Sequence, residues 1–113
     1  MIMTEEQINI AIAEACGWKY EKNETHAPDG AFWWSKKPEF PDYCNDLNAM
    51  HEAEKVFTYE EAEQFEGELC YICGSENLHK EYPLPFEFSV AHASAAQRAE
   101  ALLKTIGKWE EQN

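Results

Sequence analysis

Apolar positions along this chain fall into two rhythms, every third or fourth residue in some stretches and every second residue in others. Ile8, Ala11, Ile12 and Ala15 share one helical face, with Thr4 and Gln7 placed as a capping box before them and Gly17 as a left-handed stop. Trp18 and Tyr20 alternate with Lys19 and Glu21, and after a polar loop containing Pro28-Asp29-Gly30 the run Ala31-Phe32-Trp33-Trp34 resumes the extended pattern. That predicts a two-stranded hairpin with a longer loop, covered on both faces where two adjacent tryptophans point opposite ways. Residues 36–41 break regular structure, and a helix follows over residues 46–57. Thr58 and Glu61 form a second capping box, predicting a short helix from Tyr59 to about Glu66 that stops at Gly67. Residues 69–73 have the β-prone composition of a strand, residues 76–85 read as loop, and residues 86–90 alternate as a half-buried strand. Ser94 and Gln97 cap a last helix whose Ala95, Ala99, Leu102 and Ile106 line one side, with Gly107 ending it. The expected fold is α+β in the order α-β-β-α-α-β-β-α, a single domain over residues 1–113 with a small, mostly antiparallel sheet and helices packed on it.

The most distinctive stretch is residues 41–54. Asn45 or Asp46 is placed to cap the helix, and Leu47, Met50, Ala53 and Phe57 share a face. Glu54 projects into that stripe, with His51 at its edge. A carboxylate there needs a partner, and Arg98 sits at the border of the last helix's apolar stripe, so the expectation is a structural Glu54–Arg98 ion pair across the core.

Charge changes the picture of partners. The chain carries a net charge of −13, and residues 39–87 alone hold 13 acids against Lys55 and Lys80, a net of −11. Such a field repels nucleic acid and anionic membrane and favours cationic surfaces or metal ions. No apolar run approaches a membrane span, and the start of the sequence lacks the basic and apolar regions of a signal peptide. With Cys16, Cys44, Cys70 and Cys73 read as free thiols, the expected setting is cytoplasmic.

Pro41-Asp42-Tyr43 and the run Asn45-Asp46-Leu47-Asn48-Ala49-Met50-His51-Glu52 are preceded by Ile12-Ala13-Glu14-Ala15-Cys16-Gly17-Trp18. They are followed by His92-Ala93-Ser94-Ala95-Ala96-Gln97-Arg98-Ala99-Glu100-Ala101-Leu102-Leu103. Together these motifs resemble the phage ABA sandwich domain family, over nearly the whole chain. The resemblance implies a small phage- or prophage-encoded protein, hence the host-cell cytoplasm, with a sheet sandwiched between helices. It carries no catalytic roles.

Four chemistries compete for the remaining polar residues. Cys70 and Cys73 have zinc-knuckle spacing, with His79 six residues on and His92, Cys44 or His51 as a fourth ligand, but a strand over residues 69–73 sends the two thiols to opposite faces. Asp46, His51 and Glu54, opposed by His92, offer a general base or a divalent-ion site for a metal-dependent enzyme. The competing assignment is that Asp46 caps, His51 rests at a helix edge and Glu54 pairs with Arg98. The acidic face offers nucleic-acid mimicry. Finally, Trp33, Trp34, Tyr20, Phe32 and Trp109 exceed what a small core hides, so one of Trp33 and Trp34, with Tyr43, is expected at a contact surface or homodimer seam, and Asn48 and His51 are free to face a ligand. The expectation is a non-catalytic accessory protein that needs no cofactor and binds a host protein or a small molecule, as in counter-defence. An acidic mimic and a metal-dependent enzyme are the alternatives.

Overall fold

The computed structural model describes residues 3–30, 32–34, 39–77 and 90–110, and of 32–34 and 75–77 the backbone alone. Helix α1, Glu5–Ala15, begins where the Thr4 hydroxyl accepts from the Gln7 N–H at 3.2 Å and the Gln7 side chain accepts from the Thr4 N–H at 2.8 Å. It ends at Gly17, whose φ of 97° lets the Trp18 N–H reach back to the Ala13 carbonyl at 2.9 Å. Strands β1, Lys19–Glu21, and β2, Glu24–His26, meet through a tight turn in which Lys22 and Asn23 both take positive φ, 52° and 62°. Such a turn matches the twist of paired strands. Strand β3, Phe32–Trp34, pairs antiparallel with the other side of β2, in a register that sets Tyr20, Thr25 and Trp33 in one row. Thr25 is fully buried, and its hydroxyl accepts from the Glu39 N–H at 3.2 Å, tying the sheet to the segment that leads into the next helix.

Helix α2, Leu47–Glu54, is capped by Asp46 and buries Met50 and Ala53. Leu47 is 42% exposed, so the inward stripe begins at Met50 and not at Leu47. Helix α3 spans Tyr59–Asn77 and helix α4 spans Ala95–Thr105. Helices α1, α2 and α3 each pack on α4, of which Ala96 alone is exposed. Ala99, Ala101, Leu102 and Leu103 are fully buried there, each leucine contributing on the order of 1.5–3 kcal/mol. The hydrophobic core is drawn from the helices, the turn at Tyr43 and Cys44, and Ala93 ahead of α4, and no strand residue among those described belongs to it. Trp18 packs from outside, edge-on to Phe40 at 5.8 Å.

Among the described residues the molecule is thus mostly helical, with α1 to α4 and a small antiparallel sheet, and the order α-β-β-α-α-β-β-α does not hold. The hairpin read from residues 18–34 is three strands, because the Lys22-Asn23 turn folds the chain back within what reads as a polar loop. Residues 69–73 are helix, not strand. Phe65, Leu69, Ile72 and Cys73 recur at helical spacing and are all buried, with Phe65 stacked against Phe57 at 5.2 Å between centroids. Burying that face against α4 outweighs the β-prone composition of Leu69, Tyr71 and Ile72, each worth only a few tenths of a kcal/mol in propensity. Gly67 does not end the short helix. It lies in the interior of α3, well past the Thr58 and Glu61 capping pair at the start of the helix. The strand expected over residues 86–90 lies outside the described residues except for Val90, whose carbonyl accepts from the Ala93 N–H in a turn leading to α4.

Gly67 has no heavy atom within 4 Å of where a Cβ would stand. Gly67→Ala is therefore expected to raise unfolding stability by about 0.5–1 kcal/mol, and Gly67→Pro to lower it by about 3 kcal/mol or more, in urea titrations. A neutral response to proline would place the end of the helix at Gly67.

Candidate functional site

Residues 41–46 form a polar knot between α1 and α2. Asn9, halfway along α1, accepts from the Cys44 N–H at 3.1 Å through Oδ1 and donates from Nδ2 to Asp42 Oδ1 at 3.1 Å. Asn45 Nδ2 donates to both Asp42 oxygens, at 3.2 and 3.0 Å, and reaches Glu5 Oε2 at 3.3 Å. Asp46, not Asn45, is the cap of α2: its Oδ1 accepts from the Asn48 and Ala49 N–H groups at 3.0 and 3.3 Å. Cys44 is buried, its thiol donating to the Glu5 carbonyl at 3.8 Å. Burial, then the Glu5 and Asp42 charges, pushes that thiol up to about 11. Asn9 and Glu5 escaped the sequence reading because a polar residue between Ile8 and Ile10 reads as an ordinary helix edge.

Two shallow clefts flank this knot. One, of about 260 Å³, is lined by Glu5, Glu6, Asn9, Ile10, Phe40 and Asp42. The other, of about 190 Å³, is lined by residues that include Cys16, Trp18, Tyr43, Glu52 and Val56. In the second, Tyr43, Cys16 and Trp18 line the cleft together. Burial raises both the Tyr43 hydroxyl and the Cys16 thiol above their ordinary values, so neither is ionised at neutral pH. Tyr43 is only 3% exposed, which removes it from any broad contact surface and leaves it as a wall of the cleft. Both clefts fall short of the roughly 300–1,000 Å³ of a typical small-molecule site.

The structure brings Glu54 and Arg98 together from α2 and α4. Arg98 Nη1 donates to Glu54 Oε1 at 2.8 Å, with the side chains 14% and 17% exposed. The contact is single-pronged: Glu54 Oε2 and Arg98 Nε are buried and find no hydrogen-bond partner among the described residues. Burial accordingly pushes the Glu54 carboxyl up, against the opposing pull of the Arg98 and His51 charges.

The other sequence candidates do not converge. Asp46 is occupied as a cap and Glu54 as an ion-pair partner, while Asn48 and His51 are exposed on α2. In the helix, Cys70 and Cys73 lie about 60° apart rather than on opposite faces, so the strand-based objection to a shared ion falls away. Cys73 is nevertheless buried in the core beside the half-buried Cys70, and His79 lies outside the described residues. Among the described residues, no group of three or more His, Cys, Asp or Glu side chains is arranged to hold a metal ion. Trp33 and Trp34 are placed by backbone in β3, and their side chains lie outside what is described.

Among the described residues, two strongly exposed aromatics lie on α3, where the sequence pointed to none. Tyr59 is 79% and Tyr71 73% exposed. Glu60, Glu63, Glu66 and Gly67 are exposed on the same helix, and no Lys or Arg occurs between Lys55 and Lys80. Once α3 is known to run past Gly67, its helical spacing gives this face away. No helix of the described residues is long and apolar enough to cross a membrane. No protein-family model, curated protein or solved structure matches the chain.

The Glu54–Arg98 pair is expected to behave as a coupled unit. Arg98→Met leaves a buried carboxylate alone and lowers stability by about 3–5 kcal/mol, whereas Glu54→Gln with Arg98→Met loses much less than the sum of the single changes. Additive effects in chemical denaturation would mean the two side chains do not interact. Because burial raises the Glu54 carboxyl above its ordinary value near 4.5, the folded chain retains a proton that the unfolded chain has released just above that pH. Stability relative to Glu54→Gln therefore falls as pH rises from about 4.5 through the raised value. A relative gain over that range would show that Arg98 outweighs burial.

Proposed function

We propose that this chain is a small phage-encoded accessory protein that acts without catalysis, by binding a host protein in the host-cell cytoplasm. The observation that carries the reading is the exposure of Tyr59 and Tyr71 on a helix rich in glutamate and free of basic residues. Tyrosine supplies a large apolar face and a polar tip at low conformational cost, which is why it recurs at protein interfaces. A phage origin rests on the resemblance of the three sequence motifs to the phage ABA sandwich domain family.

Binding of a protein is favoured over binding of a small molecule by the exposed tyrosines of α3, whereas the two clefts among the described residues are each smaller than a typical small-molecule site. It is favoured over metal-dependent catalysis by the roles that Asp46 and Glu54 already play as cap and ion-pair partner. Burial raises the Cys16 thiol and the Tyr43 hydroxyl, which disfavours either as a nucleophile or base at neutral pH. Nucleic-acid mimicry shares the acidic surface but relies on charge alone, and so makes no use of the tyrosines.

Native mass spectrometry of the tagged full chain recovered from host lysate tests the reading. The expected result is a stoichiometric protein complex that Tyr59→Ala with Tyr71→Ala weakens at least tenfold and that Asn48→Ala with His51→Ala leaves intact. A stoichiometric metabolite or metal ion with no protein bound would overturn it. A protein complex dissolved by moderate salt and indifferent to the tyrosines would favour mimicry.

A further inference from the structure

Two thiols lie three residues apart on α3, with the exposed Tyr71 between them. Cys70 is half-buried, and Cys73 is buried among the core residues. In a regular helix, residues at this spacing have Cα atoms about 5 Å apart, inside the range that a disulfide bridges. Their Cβ atoms stand about 5–6 Å apart, whereas a disulfide requires about 3.5–4.5 Å. Closing that gap costs the helix its regular geometry between residues 70 and 73. The backbone around the pair is of a kind that yields: Gly67 lies one turn before Cys70 and Gly74 directly follows Cys73, and glycine holds helical geometry weakly. The other two thiols sit elsewhere, Cys16 at the end of α1 and Cys44 in the turn before α2.

We infer that Cys70 and Cys73 form a reversible disulfide that distorts α3 locally and re-aims Tyr71, so that oxidation weakens binding through the tyrosines of this helix. The effect on binding rests on the protein-binding role proposed above, and the thiol chemistry stands apart from it. The oxidant is a low-molecular-weight disulfide such as oxidised glutathione. Cys70, the more accessible thiol, loses its proton and attacks one sulfur of the oxidant, whose S–S bond breaks and releases a small thiolate that takes up a proton. Cys73, deprotonated in turn, attacks the Cys70 sulfur, forming the Cys70–Cys73 bond and expelling the second small thiolate, which is protonated likewise. Two protein thiols are oxidised, and one small disulfide is reduced to two thiols. Because Cys73 must leave the core to complete the bond, the product is strained, and strained disulfides are readily reduced again. Burial, then the Glu66 charge, raises the Cys70 thiol above its ordinary value, so the first step is slow at neutral pH and the pair answers sustained rather than brief oxidation. Disulfides in a reducing cytoplasm are mostly of this transient kind.

The test is treatment of the full chain with excess oxidised glutathione in mildly alkaline buffer, followed by alkylation of the remaining thiols in denaturant and peptide mass mapping. The expected product has lost two hydrogens, links Cys70 to Cys73, is alkylated at Cys16 and Cys44, and returns to the starting chain with dithiothreitol. Amide exchange over residues 67–77 of the oxidised chain is expected to quicken at least tenfold while α1 is unchanged. Cys70→Ala is expected to show neither the linkage nor the faster exchange. No reaction, a persistent glutathione adduct on Cys70, a linkage that includes Cys16 or Cys44, or a Cys70–Cys73 linkage with unaltered exchange over α3 would each overturn the inference. In the host-lysate experiment the oxidised chain is expected to hold the host protein at least tenfold more weakly than the reduced chain, with reductant restoring the complex. Full binding by the oxidised chain would overturn the inference and keep the binding role. No host protein on the reduced chain would retire the binding role, and the linkage and exchange results would still decide the disulfide.

Discussion

Helices α1, α2 and α3 converge on α4, and their common dependence on that one element sets most of what the chain does elsewhere. Ala95 and Ala99 keep one side of α4 small enough for close approach, while Leu102 and Leu103 fill the space between the packed helices. Burial that complete would suit a wholly apolar helix, yet α4 carries Arg98, Glu100 and Lys104. Each of these is handled by pairing: Lys104 with Glu100 at 2.9 Å along the helix, and Arg98 with Glu54 across to α2. The second pair is imperfect, with one orphaned atom on each side chain, so it adds specificity to the α2–α4 contact more than stability. It fixes which residues of α2 face inward, and with them where the Asp42–Asp46 turn must sit.

That turn in turn places the sheet. Asn9 grips it from α1, and Thr25 receives the backbone just upstream at Glu39, so β2 is held through hydrogen bonds while the hydrophobic core stays with the helices. With the core satisfied by four helices, the acidic surplus is left on outward faces, chiefly that of α3. Like charges on one helix are destabilising, and α3 carries its glutamates and a mid-helix glycine together.

The parts of this architecture that were legible in the sequence are those set by local chemistry. Capping boxes at Thr4, Thr58 and Ser94, the stops at Gly17 and Gly107, and the inward reach of Glu54 and Arg98 depend on residues within a turn of one another or on a clear break in an apolar stripe. Misread features depended on tertiary context. Leu69, Tyr71 and Ile72 have strand-like composition, and the helical periodicity of Phe65, Leu69, Ile72 and Cys73 becomes visible only when Gly67 is allowed inside a helix. The Lys22-Asn23 turn lacks the glycine that usually announces positive φ, and so the third strand was hidden in a loop. For the site, Tyr43 was singled out as a contact residue, but a tyrosine beside a proline-bearing turn carries no mark of the cleft wall in which it is buried with Cys16 and Trp18. Tyr59 and Tyr71 passed unnoticed because their exposure follows from the full length of α3.

The central claim is that the fold is held by helices gathered on α4 and not by a sheet between layers. Residue-resolved amide hydrogen exchange of the full chain tests it most directly. The account predicts that the amides of Ala99, Ala101, Leu102 and Leu103 exchange only through global unfolding, and that Tyr20, Thr25 and the rest of β1 and β2 open locally at lower free energy. Strand amides protected to the global limit, with α4 opening before them, would contradict it.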